Sequence, residues 1–505
     1  MLKMKRKEKN KEKIESDLKD HKQFKKELIP PFLQIKGITP FSWYYERLPE
    51  LLWAVLIVGN MKRDTALNYF RYIAKFVEGN PDCSDITISG ISKLPVVKLK
   101  DFIKHFTNWS NEINILMRPM LLFPELPGIS EWKEVLDKSA IDEDWQKIAN
   151  GFNKTFWHQS QEATDCRWIK ALCRVLSGKM HFPQSMESMV REILEYPSYG
   201  DMRKVRPSIR ALEMIPNLDE DEDKFNWVNH FWEHSFKSTS CLFVENPEEV
   251  IKKRKKEIDI EIKEKGKYYL KEVKDVRIKL IEHFFNTSET STINYRHEGA
   301  FGLALYGISL FMEIVCYKLS FSITGRITLR TLVETYITFA YLLKKEQDEP
   351  KVWDDYRIYG TGQIKLIYLK LKEMEREVSC VKIDKMEDIA NEDKWVEFIP
   401  INLGHWESAN LRKMSEEIGL KETYDKFYNY TSGFIHANWG GIRESVFEKC
   451  LNSLHRFHNI PTATNLSFLS NVTDDSLEIL NNILECLSIA YPKFTFRINK
   501  SDLKD

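Results

Sequence analysis

Three long stretches with helical apolar spacing follow one another almost without interruption: residues 290–319 (TSTINYRHEGAFGLALYGISLFMEIVCYKL), 323–345 (ITGRITLRTLVETYITFAYLLKK) and 353–377 (WDDYRIYGTGQIKLIYLKLKEMERE). Each repeats apolar residues three and four apart and is far longer than an ordinary strand. Long amphipathic helices with short connections bury their stripes against one another, so this part of the chain is expected to be a helical bundle. Elsewhere, 20 Gly and 18 Pro in 505 residues leave too little punctuation for a many-turned β architecture. The expected fold class is mainly α.

A chain of this length exceeds one simple core, and two domains are expected. Residues 1–30 alternate Lys and Glu with little apolar content and read as a charged tail, a solvated helix or disordered. Residues 31–245 read as an N-terminal helical domain, with helices near 48–60, 62–77, 109–119, 143–157 and 163–177. The stretch 87–106 holds the only short extended piece expected there. Residues 246–280 carry dense mixed charge over a thin apolar register and read as a charged helical linker, leaving 281–505 as a C-terminal helical bundle domain.

Charge narrows the functional classes. Seventy-five Lys plus Arg balance 75 Asp plus Glu, so any polyanion site is a local patch. Eight cysteines with no C-x-x-C pair argue against a zinc ribbon or a secreted disulfide framework. The first 30 residues contain no signal-peptide core, so the expected location is cytoplasmic. The most apolar segment, 300–323, is interrupted by Glu313 and Lys318 below the roughly 18 residues a membrane span needs, which makes it a core helix and leaves no membrane partner. The chain has no phosphate-binding G-x-x-x-x-G-K-[ST] loop, no dinucleotide fingerprint and no G-x-S-x-G elbow. No cofactor and no metal is expected.

The best candidate for chemistry lies in TYDKFYNYTSGFIHANWGGIR, residues 423–443. Tyr424, Tyr428, Ser432 and His436 recur every fourth residue and form one polar, aromatic stripe on a helix. The helix at 326–345 places Arg326, Arg330 and Glu334 at successive i, i+4 positions inside an apolar ribbon. Facing each other, the two helices would gather a cation, a carboxylate, a hydroxyl and an imidazole. His436 would then move a proton, Arg330 would hold charge developing on phosphate, Glu334 would orient the imidazole, and Tyr428 and Arg443 would bind substrate. The same residues also fit a buried hydrogen-bonded seam that sets helix register and nothing more.

Three further patterns stand apart from the stripe. Arg203, Arg206 and Arg210, spaced three and four apart, would make a basic edge for phosphate if the helix continued through Pro207; Pro207 is expected to start a new helix. HFWEH at 230–234 has the H-x-x-E-H order of the inverted zinc peptidases, with His230 and His234 as ligands and Glu233 as base; it needs a further acidic ligand, for which Glu298 and Glu313 are candidates. Arg174 and His181 have the spacing of the R-x(4-6)-H motif of HEPN nucleases, although Val175 stands where that family favours a polar residue and Gly178 ends the helix before His181.

The pairing of an R-x-x-x-E helix (Arg330, Glu334) with a Y-x-x-x-S-x-x-x-H helix (Tyr428, Ser432, His436) resembles uncharacterised bacterial defence-associated proteins whose C-terminal helical domain has no known function, over about residues 280–490. With the partial HEPN-like spacing, the resemblance implies an antiviral defence or toxin-type protein that forms homo-oligomers. The first expectation is metal-independent RNA cleavage through His436, assisted by Arg330, Glu334 and Ser432, with the RNA 2′-hydroxyl as nucleophile. The second is a non-enzymatic sensor or adaptor that binds a protein or RNA partner through Arg203, Arg206 and Arg210. The third is a zinc-dependent peptidase built on HFWEH.

Overall fold

The computed structural model describes residues 17–34, 41–136, 139–180, 182, 186–212, 224–242, 252–253, 255–256, 259, 264–374, 379–392, 394–404, 410–455, 458–461 and 469–501. The protein is mainly α. Among the described residues, strands are confined to two three-residue antiparallel pairs, β1 (Lys22–Phe24) with β2 (Glu27–Ile29) and β3 (Phe447–Lys449) with β4 (Asn459–Pro461). The chain forms two compact units. The first comprises Met1–Phe243 and, on a return of the chain, Cys450–His458; the second comprises Val244–Lys449 and Asn459–Asp505.

The first unit is built from α1 (Leu52–Asn60), α2 (Arg63–Gly79), α3 (Val96–Thr107), α4 (Asp144–Thr155), α5 (Gln161–Leu176), α6 (Met202–Leu212) and α7 (Lys224–Ser238). The sequence of α1, LWAVLIVGN, is apolar all round, and a helix of that kind must be covered on every side. It packs against both α4 and α5, and every residue from Leu52 to Gly59 is buried. Trp53 and Trp168 lie fully inside, and each indole N–H is satisfied, by the Ile86 and Ile193 carbonyls at 2.8 Å.

The approach of α1 to α4 depends on two glycines. A Cβ on Gly151 would stand 2.7 Å from the Val55 carbonyl oxygen, and one on Gly59 would stand 2.3 Å from the Gly151 Cα. Backbone cannot yield as a side-chain tip can, so Gly151→Ala is expected to destabilise the first unit by about 1–3 kcal/mol despite alanine's better helix propensity. An unchanged urea midpoint would remove this account of the contact.

Several local expectations are corrected. Residues 17–30 hold a short turn and the β1–β2 pair, joined through Lys25 at φ +53°, rather than a helix; residues 1–16 of the charged tail lie outside the described residues. The stretch 87–106 is helical throughout its two halves, Ile88–Ser92 and α3, because Thr87 caps the first by accepting from the Gly90 N–H and Pro95 precedes the second. Pro207 does not start a helix but lies within α6, where buried Val205, Ile209 and Leu212 hold one face down on both sides of it.

The second unit is organised around α9 (Tyr295–Cys316), which packs against α8 (Gly266–Thr287), α10 (Ile323–Lys345), α11 (Val352–Lys372) and α14 (Thr473–Ala490). Ala304, Ile308, Phe311 and Ile314 are fully buried. By length and composition α9 is also the one described helix able to cross a membrane; its apolar face is the one its four neighbours cover. The charged linker expected at 246–280 is in part α8. Tyr269, Val273, Val276 and Leu280, at helical spacing, form a narrow apolar stripe buried against α9, while most of 246–263 lies outside the described residues. Between α11 and α14 come α12 (Asn429–Ile435) and α13 (Trp439–Val446), which carry the candidate site.

Candidate functional site

Ser322 caps α10 by accepting from the Gly325 N–H at 3.0 Å, and the uninterrupted helix puts Arg326, Arg330 and Glu334 on one face. That face meets the stripe. Its first part, Tyr424–Tyr428, is wound as a wider π-type turn that continues into α12. The Tyr424 and Tyr428 rings stack at 4.6 Å, and burial, with Tyr428 beside it, pushes the Tyr424 phenol pKa up.

Arg330 is the centre of the contact. Its Nη2 donates to the Tyr428 hydroxyl at 2.5 Å and pairs with Glu334 Oε1 at 3.0 Å, and its Nε donates to Ser432 Oγ at 3.2 Å. The guanidinium lies 4.5 Å from the Tyr428 ring centre. Ser432 in turn donates to the Tyr428 carbonyl at 2.7 Å. One turn earlier Arg326, only 1% exposed, donates to the Ser322 and Ser470 carbonyls at 3.1 and 2.7 Å and sits against the Phe434 ring. Arg330, Glu334, Tyr428 and Ser432 are thus brought together, and their polar groups bond one another. Bonds of this kind fit a seam that sets helix register.

His436 is not part of this seam. It is the residue on which α12 ends, it is exposed, and among the described residues its imidazole makes no hydrogen bond, ion pair or ring contact. The His436 N–H still bonds the Ser432 carbonyl at 3.1 Å, but α12 ends there, and Ala437 at φ +49° turns the chain toward α13. The result is a tight corner. Gly433 and Gly441 let α12 and α13 approach so closely that a Cβ on Gly441 would lie 3.0 Å from the Gly433 carbonyl, and the Tyr430 hydroxyl donates to Glu444 at 2.7 Å. The corner leaves Trp439 63% and Tyr430 47% exposed beside His436 and Asn438, with Arg443 half-buried on α13. His436 meets its expected partners only at the backbone, its N–H bonding the Ser432 carbonyl at 3.1 Å; among the described residues no side-chain bond links it to Arg330, Glu334 or Ser432. Trp439 and Tyr430 were not singled out from sequence, although aromatic residues flanking a helix break were a signal to look for.

The other candidates are placed as follows. Arg203 pairs with Asp201 at 3.0 Å, which holds that carboxyl below its usual range; Arg206 donates to Gln161 at 3.0 Å, and Arg210 is half-buried on the same helix. The basic edge is therefore partly tied down. In α7, Glu233 faces Lys237 at 4.0 Å, and the His234 ring contacts those of Phe123 and Trp145. Among the described residues no third ligand joins His230, Glu233 and His234. Glu298 and Glu313 belong to the second unit, where Glu298 pairs with Arg357 at 2.5 Å. Arg174 lies on α5, which ends at Leu176 with Gly178 at φ +69°; His181 lies outside the described residues. A cleft of about 620 Å³ opens beside Arg296, Glu346, Trp353 and Asp354, and within it Arg296 donates to both Glu346 oxygens, at 2.7 and 2.9 Å.

Residues 297–452 match the model of a family of unknown function, DUF5677. The match spans α9 to α13 and so contains the seam and the corner. Among curated proteins and among solved structures, nothing matches the chain.

Proposed function

We propose that the protein is a non-enzymatic sensor whose second unit binds single-stranded RNA at the corner between α12 and α13. The observation that carries this reading is the contrast between the two neighbouring features. Arg330 bonds Tyr428, Ser432 and Glu334, whereas the corner exposes two aromatic faces next to a histidine and an arginine. Unpaired bases stack on exposed aromatic rings, and nearby cationic groups meet the backbone. The defence or toxin setting and self-association are proposals that rest on the resemblance of the R-x-x-x-E and Y-x-x-x-S-x-x-x-H helices and the partial HEPN-like spacing; a cytoplasmic location is a proposal that rests on the scattered cysteines and the lack of a signal-peptide-like run in the first 30 residues.

Binding of a short fluorescein-labelled single-stranded RNA, read by anisotropy, tests the reading. Trp439→Ala is expected to weaken Kd roughly 5- to 100-fold, the range that corresponds to losing one base stack. Equal affinity of the two proteins, or no binding by either, would overturn it. A second reading, metal-independent RNA cleavage, is favoured by the exposed position of His436, whose imidazole would serve as the base for the 2′-hydroxyl. The same RNA incubated with wild type and with His436→Ala, and run on a denaturing gel, decides: cutting by the wild type alone makes the protein a nuclease, and intact RNA in both lanes removes that activity.

A further inference from the structure

Away from the corner, the first unit contains a second cluster of reactive side chains. Where the chain returns at Cys450–His458, it brings Cys450, His455 and His458 to Cys241, just beyond the end of α7. One ligand atom from each of the four residues lies within 4.8 Å of the other three. Cys241 Sγ is 3.5 Å from His455 Nδ1 and 3.4 Å from His458 Nε2. Zinc–sulfur bonds of about 2.3 Å and zinc–nitrogen bonds of about 2.0–2.1 Å imply tetrahedral edges of roughly 3.3–3.8 Å. Both separations from Cys241 Sγ have that size.

The surroundings orient the ligands. Thr239 Oγ1 lies 2.8 Å from the Ser235 carbonyl and 2.9 Å from His455 Nε2; when its proton goes to the carbonyl, it accepts from Nε2–H. In that tautomer His455 carries its proton on Nε2 and turns the lone pair of Nδ1 toward Cys241. A ligating histidine whose other nitrogen is held by a fixed partner is the usual arrangement around bound metal. Asn452 donates to Thr239 Oγ1 and to the Ser240 carbonyl, and the Leu451 N–H donates to the Leu242 carbonyl at 2.7 Å, so both ligand-bearing segments are fastened to each other. Cys450 is 1% exposed and His455 is 4% exposed.

We propose that Cys241, Cys450, His455 and His458 form a structural zinc site. Two thiolates and two imidazoles suit Zn²⁺ above the harder divalent ions, and four protein ligands complete a tetrahedron with no position open for substrate. Binding takes up one Zn²⁺ and releases the two thiol protons of Cys241 and Cys450. The ion fastens the returning segment to the end of α7 and is independent of HFWEH.

The full chain, purified under reducing conditions from zinc-containing medium, tests this by elemental analysis. About one zinc per chain is expected, retained in His230→Ala and His234→Ala and lost in Cys450→Ser and His455→Ala. Because those two variants can fail by misfolding, the wild type is also stripped and titrated with Co²⁺, for which a thiolate-to-metal charge-transfer band and the visible absorption of a tetrahedral ion are expected. Iodoacetamide labelling of Cys241 and Cys450, mapped by mass spectrometry, should be suppressed when zinc is added back. Wild type without zinc, no cobalt band and labelling indifferent to zinc would overturn the proposal. So would metal-free protein with a Cys241–Cys450 disulfide, or zinc that disappears with His230→Ala and stays with His455→Ala.

Discussion

Asp144→Ala is expected to lower the unfolding free energy of the first unit by about 3–5 kcal/mol, the range for removing one partner of a buried ion pair. Asp144 is fully buried at the start of α4. Its carboxylate accepts from Arg118 at 2.7 and 2.8 Å, from Lys147 at 2.7 Å and from the Ile141 N–H at 3.1 Å. Removing it leaves two cations facing each other across the place where their counter-charge stood. The effect also has a pH signature. Burial alone would push the Asp144 pKa up, but the bonds from Arg118, Lys147 and Ile141 outweigh it and hold the carboxyl below its ordinary value. A group whose pKa is depressed by folding stabilises in full above the unfolded value of about 3.9, and that stabilisation is lost as pH falls through the lower folded value. Urea melts followed by tryptophan fluorescence should therefore show a wide gap between wild type and variant near pH 7 that narrows below about pH 4. A gap that is absent, or that widens in acid, would contradict this assignment.

Arg330→Ala should cost the second unit about 2–4 kcal/mol, since a charged donor with three partners is lost and each such bond contributes roughly 1.5–3 kcal/mol before water replaces part of it. The Arg330 side chain is 16% exposed, so the Tyr428 hydroxyl and Ser432 Oγ are left with limited access to solvent. Arg330→Lys should recover only part of the loss, because an ammonium cannot bond Tyr428 and Ser432 with two nitrogens of one rigid plane. His436→Ala, one residue past the same helix, should leave the midpoint within about 0.5 kcal/mol of wild type. This contrast separates a seam from a site. If Arg330→Ala melts like wild type, the network is not holding α10 to α12, and its residues return as candidates for chemistry.

Much of the architecture was legible without coordinates. The helical spacing of 290–377 and the scarcity of Gly and Pro imply a mainly α protein, and α9, α10 and α11 follow the three periodic stretches closely. The i, i+4 placement of Arg330 with Glu334 and of Tyr428 with Ser432 also survives folding, because local winding alone puts such pairs on one face. What misled were places where a local pattern met a backbone change. The stripe runs to His436 in backbone register, its N–H bonding the Ser432 carbonyl at 3.1 Å, but α12 ends there, and among the described residues the Arg330 side chain bonds only Tyr428, Ser432 and Glu334. The charged stretch before residue 281 hid the four-residue stripe of α8 among lysines and glutamates.

By itself the sequence determined the helices, their apolar faces and the absence of familiar nucleotide, redox and hydrolase motifs, since those are properties of neighbours along the chain. The tertiary structure alone decided which polar groups close on one another, which aromatic rings remain in solvent, and that Cys241 meets Cys450, His455 and His458. Those four residues carry no joint signal in the string beyond a short C-x4-H-x2-H run, for the fourth ligand lies some two hundred positions earlier. Helical periodicity is written by hydrogen bonds four residues apart, whereas a site assembled from distant segments exists only once the packed core has chosen where the chain returns.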